Sequence, residues 1–218
     1  MCGIIGVIGE PDALPLMLGA LHQLEYRGYD SAGVALVIDG EIWRARAADG
    51  KRSVAELAVI TAGAPAGHSA AIGHTRWATH GHPTPENAHP HVDCTGRLAL
   101  IHNGIIENHA ELRADLVADG HVMTSATDTE VMAHLIERHM AAGLSLTEAT
   151  RAMLRSVRGA FSIAVIHADE PERIVAARRS TPMVLGLGDG RAYLASDIPA
   201  LLGHTRQLFA LGDDELAV

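Results

Sequence analysis

Twice in this sequence an Asp-Gly pair stands between two short aliphatic, β-branched runs: Asp39-Gly40 between residues 32–38 and 41–45, and Asp189-Gly190 between 183–188 and 191–195. A two-residue loop of this kind matches the right-handed twist of the strands it joins, so each pair predicts a hairpin and antiparallel pairing. Further strand-like runs lie at 3–8, 69–73, 97–102, 161–167 and 173–177, and many of the nine are consecutive with only turn residues between them. A doubly wound parallel sheet needs strands alternating with helices, and the order of these runs disfavours it.

Helical periodicity appears in four places. Leu14, Met17, Leu18, Leu21 and Leu24 share one face, as do Leu112, Leu116 and Val117, and Val131, Met132, Leu135 and Ile136; a fourth helix begins near Ser145. Ser145 with Glu148, and Thr127 with Glu130, have capping-box spacing. With no linker, charge block or repeat in 218 residues, one continuous domain is expected. The pattern predicts α+β layers: antiparallel sheets packed on each other and covered by helices.

Charge and composition remove several functions. Seventeen basic against 26 acidic residues give a net charge of -9, which argues against a nucleic-acid or anionic-membrane surface, since either needs clustered cations. The single lysine, Lys51, has no Walker-type glycine loop around it, so neither lysine Schiff-base chemistry nor a P-loop is expected. Apolar residues make up 48% but aromatic ones 3%, so the core must be aliphatic. The longest stretch free of acidic and basic side chains, 57–75, carries Pro65, His68, Ser69 and His74 and does not read as a membrane span. No basic-then-apolar start marks a secretory signal, and two cysteines, Cys2 and Cys94, make no disulfide framework, so a cytoplasmic protein is expected.

Cys2 is the first candidate for chemistry. Removal of Met1 would leave a thiol and a free α-amine on one residue, with reference pKa values of about 8.5 and 7.7–8.0, so that the amine can serve as general base. The competing reading is a cysteine buried in the first strand. Asn103-Gly104, after the apolar run 98–101, offers a side-chain amide and a flexible backbone N–H, which suit an oxyanion hole, or else a hairpin turn. Arg76, in the donor-rich segment 74–81, can hold a carboxylate bidentately or stand in a solvated loop. Asp128 can serve a substrate ammonium or simply occupy the first turn of a helix. His80, His82, His89, His91 and Cys94 supply five nitrogen and sulfur ligands within fifteen residues, but without a recognised zinc spacing. Cys94 beside the Thr95-Gly96 turn reads as an inert thiol, and Gly186-x-Gly188-x-Gly190 is a weak dinucleotide signal because a hairpin follows it.

Six ordered motifs carry a resemblance across essentially the whole chain: residues 1–4 (Met-Cys-Gly-Ile), 26–33, 74–81 (with Arg76 to Gly81 reading Arg-Trp-Ala-Thr-His-Gly), 87–91, 102–108 and 127–130. Together they resemble the glutaminase domain, or glutamine amidotransferase type 2 domain, of the glucosamine-6-phosphate synthase family. The resemblance implies an N-terminal-nucleophile hydrolase with a four-layer αββα fold over residues 2–218. By it, Cys2 attacks the side-chain amide of L-glutamine with its own amine shuttling the proton, Asn103 and Gly104 hold the oxyanion, and Arg27 orders the N-terminal residue. Arg76 would bind the substrate carboxylate and Asp128 its ammonium, with Trp77, Thr79 and His80 in a loop that closes over the substrate. His89 and His91 become structural, and neither a metal nor another cofactor is expected. The family continues into two sugar-isomerase domains, which act on fructose 6-phosphate; these are expected to be absent here, since the sequence stops at Val218. Glutaminases of the purine-pathway amidotransferase and of asparagine synthetase are rival readings less favoured by the wording of 76–81, and a histidine-rich metal-binding module is the alternative from a different class.

Overall fold

Alternation along the strands sorts the aliphatic side chains into three apolar layers. In the computed structural model, which describes residues 2–67, 70–78 and 81–218, seven strands form one antiparallel sheet in the order β11-β9-β10-β1-β4-β2-β3. They are β1 (Gly3–Ile8), β2 (Ser31–Ile38), β3 (Glu41–Ala47), β4 (Ala70–Arg76), β9 (Val184–Gly188), β10 (Arg191–Ala195) and β11 (Gln207–Ala210). A second antiparallel sheet has the order β12-β8-β7-β6-β5, from β5 (His91–Val92), β6 (Leu98–Ile106), β7 (Gly159–His167), β8 (Val175–Arg179) and β12 (Leu216–Ala217).

Successive residues of a strand point to opposite faces, and the cores follow that period. Ile5, Val7, Val34 and Leu36 face α1 (Ala13–Leu24) and α2 (Ser53–Ile60), meeting Met17, Leu21 and Leu57. Leu98, Leu100, Ile163 and Val165 face the helices on the other side, α3 (His109–Ala118), α4 (Glu130–Ala141) and α5 (Leu146–Ser156). The intervening residues, Ile4, Ala35, Val37, Ala99, Ile101, Ala164 and Ile166, pack sheet on sheet. The result is the four-layer αββα sandwich, and the many alanines in the middle layer fit the low aromatic content.

Both Asp-Gly pairs are hairpins: β2 pairs with β3 through Ile38 and Glu41, and β9 with β10 through Gly188 and Arg191. The glycine series at 186–190 therefore belongs to a hairpin and opens no helix. Helix α5 starts as its spacing indicates, with Ser145 accepting from the Glu148 N–H at 3.3 Å. The box expected at Thr127 and Glu130 does not form. Helix α4 begins one residue after Thr129, and the Glu130 carboxylate is drawn backwards by four donors, the N–H and hydroxyl groups of Thr124 and Ser125. Helix α2 and the short edge strands β5, β11 and β12 went unpredicted, since each is too short or too weakly patterned to stand out. Among the described residues no helix is long and apolar enough to cross a membrane.

Ile101 is fully buried between the sheets, whereas Val122 is 67% exposed. Ile101→Ala is expected to lower unfolding free energy by about 2–5 kcal/mol in urea titrations. Val122→Ala should stay within about 0.5 kcal/mol. Equal losses would contradict the layer assignment.

Candidate active site

Strand β1 runs between β4 and β10, and Cys2 sits just ahead of its first pair, Gly3 with Thr75. The end of β4 and the residue after it supply Arg76 and Trp77, the second half of β6 supplies Asn103 and Gly104, and the segment before α4 supplies Asp128. All six line one cavity of about 240 Å³, together with Arg27, His89, His102 and Thr127. Strands from both sheets thus converge on Cys2.

The Cys2 backbone is held from two sides. Its carbonyl accepts from Arg27 Nε at 3.1 Å and from Asn103 Nδ2 at 3.0 Å. Arg27 is itself anchored by Asp197, through Nη1 at 2.8 Å, and Asp197 also accepts from the Tyr26 hydroxyl. The sulfur accepts from the Trp77 N–H at 3.2 Å. Burial pushes the Cys2 thiol above its ordinary range, while the Trp77 N–H and Arg76 pull the other way without cancelling it. A base is therefore needed to make this thiol nucleophilic at neutral pH.

Asn103-Gly104 is not a turn; both residues lie inside the nine-residue strand β6. Gly104 has φ of 132°, and a Cβ there would stand 1.9 Å from the Ala160 carbonyl oxygen, so only glycine fits. The Asn103 amide is oriented by His74. The His74 Nε2 lies 2.9 Å from Asn103 Oδ1 and 3.0 Å from the His102 carbonyl, both acceptors, so this nitrogen carries the proton. Asn103 must then turn its NH₂ group towards Cys2.

Behind Asn103 stands a layer of buried imidazoles. His74 stacks on His89 with centroids 4.0 Å apart, and His91 meets His89 edge-on at 4.8 Å. His89 Nδ1 accepts from the His102 N–H, His91 Nε2 lies 3.1 Å from Thr127 Oγ1, and His102 Nδ1 lies 2.9 Å from Thr129 Oγ1. Burial holds all four below the ordinary histidine range, His74 and His91 at about 3 and His89 well below it. They are neutral hydrogen-bonding spacers.

Arg76 is buried and donates from Nη2 to the Gly81 carbonyl at 3.0 Å. Burial weakens its hold on its proton, opposed by the carboxylates of Asp30 and Asp128. Asp128 Oδ2 accepts from the Ile106 N–H at 2.7 Å. Trp77 is half exposed, its indole edge-on to Tyr29 at 5.7 Å. Thr79 and His80 lie outside the described residues. His89 and His91, offered by the sequence as ligands together with Cys94, belong instead to the imidazole layer. His74, His102 and Asp197 were missed as contributors to the site: a buried strand histidine carries no distinctive signal, and Asp197 is 170 residues from Arg27 in sequence. A thiol, an amide donor, a cation and a carboxylate around one cavity can together receive a zwitterionic amino acid and attack its side chain.

The glutamine amidotransferase domain family matches residues 74–203. The isomerizing glutamine–fructose-6-phosphate aminotransferase of Symbiobacterium thermophilum is 51% identical over 217 residues, covering 100% of this chain and 35% of its own. Its counterpart in Streptomyces coelicolor is 49% identical, covering 99% and 35%. The chain thus spans about a third of the length of these curated relatives. Among solved structures, the glutamine phosphoribosylpyrophosphate amidotransferase of B. subtilis superposes with a TM-score of 0.81 at 27% identity, over 99% of this chain and 46% of that one.

The imidazole layer makes stability depend on pH. A histidine whose folded pKa lies below its unfolded value of about 6.5 binds its proton more tightly when unfolded, so stability falls as pH drops below about 6.5. For His74 and His91 the loss continues towards pH about 3. His134 is shifted upward and opposes the trend, one group against the four of the layer. Urea unfolding between pH 7 and 5 should show a steady loss corresponding to more than one proton taken up on unfolding. A flat profile over that window would contradict the neutral layer.

Proposed function

The chain belongs to the glutamine amidotransferase domain family, and on that premise we propose that it hydrolyses the side-chain amide of L-glutamine to glutamate and ammonia with Cys2 as nucleophile. The observation that carries this reading is the Cys2 thiol beside the oriented Asn103 amide, in a cavity that also holds Arg76 and Asp128.

In this reading the sulfur attacks the amide carbon, and its proton passes to the α-amine that Cys2 bears once Met1 is removed. The carbonyl oxygen becomes an oxyanion, for which Asn103 Nδ2 and the Gly104 N–H are the donors. The amine then protonates the departing nitrogen, ammonia leaves, and a glutamyl thioester remains on Cys2. Water, relieved of a proton by the same amine, cleaves the thioester to glutamate. Arg76 takes the substrate α-carboxylate and Asp128 its α-ammonium. Arg27 holds the Cys2 carbonyl, and so aims the nucleophile without touching the substrate. Trp77, Thr79 and His80 form the covering loop.

We further infer that the ammonia is destined for fructose 6-phosphate, the sugar in the names of the two aminotransferase relatives, through sugar-isomerase domains of a longer protein. Their identity of 51% and 49%, against 27% for the phosphoribosylpyrophosphate amidotransferase, supports that reading over a purine-pathway glutaminase. A reducing compartment such as the cytoplasm suits a reaction that depends on a free thiol.

Cys2→Ala is expected to reduce glutamine hydrolysis by about 10³-fold or more while the unfolding midpoint stays near the parent's. Undiminished ammonia release from purified Cys2→Ala would overturn the proposal. Arg76→Ala and Asp128→Asn should each lower kcat/KM for glutamine by about 30-fold or more, because removing one charge strands its partner at about 2–5 kcal/mol. Alkylation of Cys2 by a small thiol reagent should change far less in both variants. Parallel losses in the two reactions would point to damage at Cys2 instead of lost recognition. Active material should begin at Cys2 by intact mass, and a homogeneous Met1-bearing sample with full activity would exclude the amine as base.

A further inference from the structure

On the opposite face of the five-stranded sheet from the interface with its partner sheet, a second cysteine meets a ligand set that the glutamine reaction does not use. Cys94 lies in the turn between β5 and β6, His121 follows α3, and His134 and Glu137 stand three residues apart on α4, a spacing that puts both on one helix face. One ligand atom from each of the four falls within 4.8 Å of all the others. Cys94 Sγ is 3.6 Å from His121 Nδ1 and 3.5 Å from His134 Nδ1. Glu137 Oε2 is 3.0 Å from each of those nitrogens.

These separations resemble the edges of a metal tetrahedron. Zn–S of about 2.3 Å and Zn–N or Zn–O of about 2.0–2.1 Å, at tetrahedral angles, require sulfur–nitrogen edges of about 3.6 Å and nitrogen–oxygen edges of about 3.3 Å. The widest separation exceeds these, so binding has to draw the ligands inward. Cys94 is exposed on its turn, where its N–H donates to Glu137 Oε2 at 3.1 Å and its sulfur accepts from the Val122 N–H at 3.5 Å.

His134 supplies the independent observation. It is 1% exposed, its Nδ1 faces Cys94 and Glu137, and its Nε2 has no hydrogen-bond partner but lies 3.9 Å from the buried Glu130 carboxylate. A neutral imidazole that donates Nδ1–H to Glu137 turns an Nε2 lone pair towards that carboxylate. Metal on Nδ1 places the proton on Nε2, facing Glu130, in the arrangement by which carboxylates orient metal-bound histidines.

We propose that Cys94, His121, His134 and Glu137 form a structural zinc site, with Glu130 as the outer carboxylate. The thiolate and the Glu137 carboxylate balance the charge of Zn²⁺, and the mixed sulfur, nitrogen and oxygen donors suit that ion. Binding releases the Cys94 proton to solvent and ties the β5–β6 turn and the end of α3 to α4, the helix that Asp128 precedes. The site goes beyond glutamine hydrolysis and replaces the expectation of no metal.

Cobalt titration of the reduced chain tests it, because tetrahedral thiolate-bound Co²⁺ shows sulfur-to-metal charge-transfer absorption and strong visible bands. Cys2→Ala should bind one equivalent with both signatures, and one equivalent of Zn²⁺ should abolish them. Cys94→Ser should lose the charge-transfer band, and His121→Ala should bind at least tenfold more weakly. Zn²⁺ should raise the melting temperature of the parent but not that of Cys94→Ser, whose glutaminase rate without metal should match the parent's. Absence of the charge-transfer band in the parent, its persistence in Cys94→Ser, or its loss in Cys2→Ala would overturn the proposal.

Discussion

The hydrogen bond from Asn103 Nδ2 to the Cys2 carbonyl joins a strand of one sheet to the residue that leads into the first strand of the other. It spans the middle apolar layer at its edge, and the rest of the site is arranged around it. Shifting β6 by one residue against β7 would turn Asn103 to the opposite face and put a side chain where Gly104 meets the Ala160 carbonyl. The register of β6, fixed by Leu98 and Leu100 towards the helices and Ala99 and Ile101 towards the partner sheet, therefore decides whether the amide reaches Cys2.

The imidazole layer has a related purpose. An asparagine amide is symmetric in shape, and either end could face the cavity unless something fixes it. The His74 Nε2–H does so by donating to Asn103 Oδ1. Burial keeps His74 neutral, which avoids placing another positive charge beside Arg76. The cost of that burial is an expected loss of stability in acid.

Much of the fold was legible because its signals are local. The Asp-Gly hairpins, the apolar runs of β1, β2 and β7, and the Ser145 cap each lie within a few residues and survive into the structure. Cys2, Asn103, Gly104, Arg76 and Asp128 were singled out by their chemistry, and they do line one cavity. What stayed hidden depends on distant partners. The Thr127 box failed because Thr124 and Ser125 outcompete it for the Glu130 carboxylate, and Thr127 turns to His91. Arg27 depends on Asp197, far along the chain. Cys94 read as inert because its neighbours in sequence are a turn, whereas His121, His134 and Glu137 arrive from α3 and α4.

Hydrolysis by this route requires a covalent intermediate at one residue of the site, and the N-terminal peptide reports it directly. Reduced, Met1-free chain would be mixed with excess glutamine, quenched in acid during turnover, digested at low pH and analysed by mass spectrometry. The predicted result is a glutamyl thioester on Cys2, none on Cys94, that decays once glutamine is exhausted. Sustained ammonia release from glutamine by protein whose Cys2 is fully alkylated, with no glutamyl adduct at that residue, would contradict it.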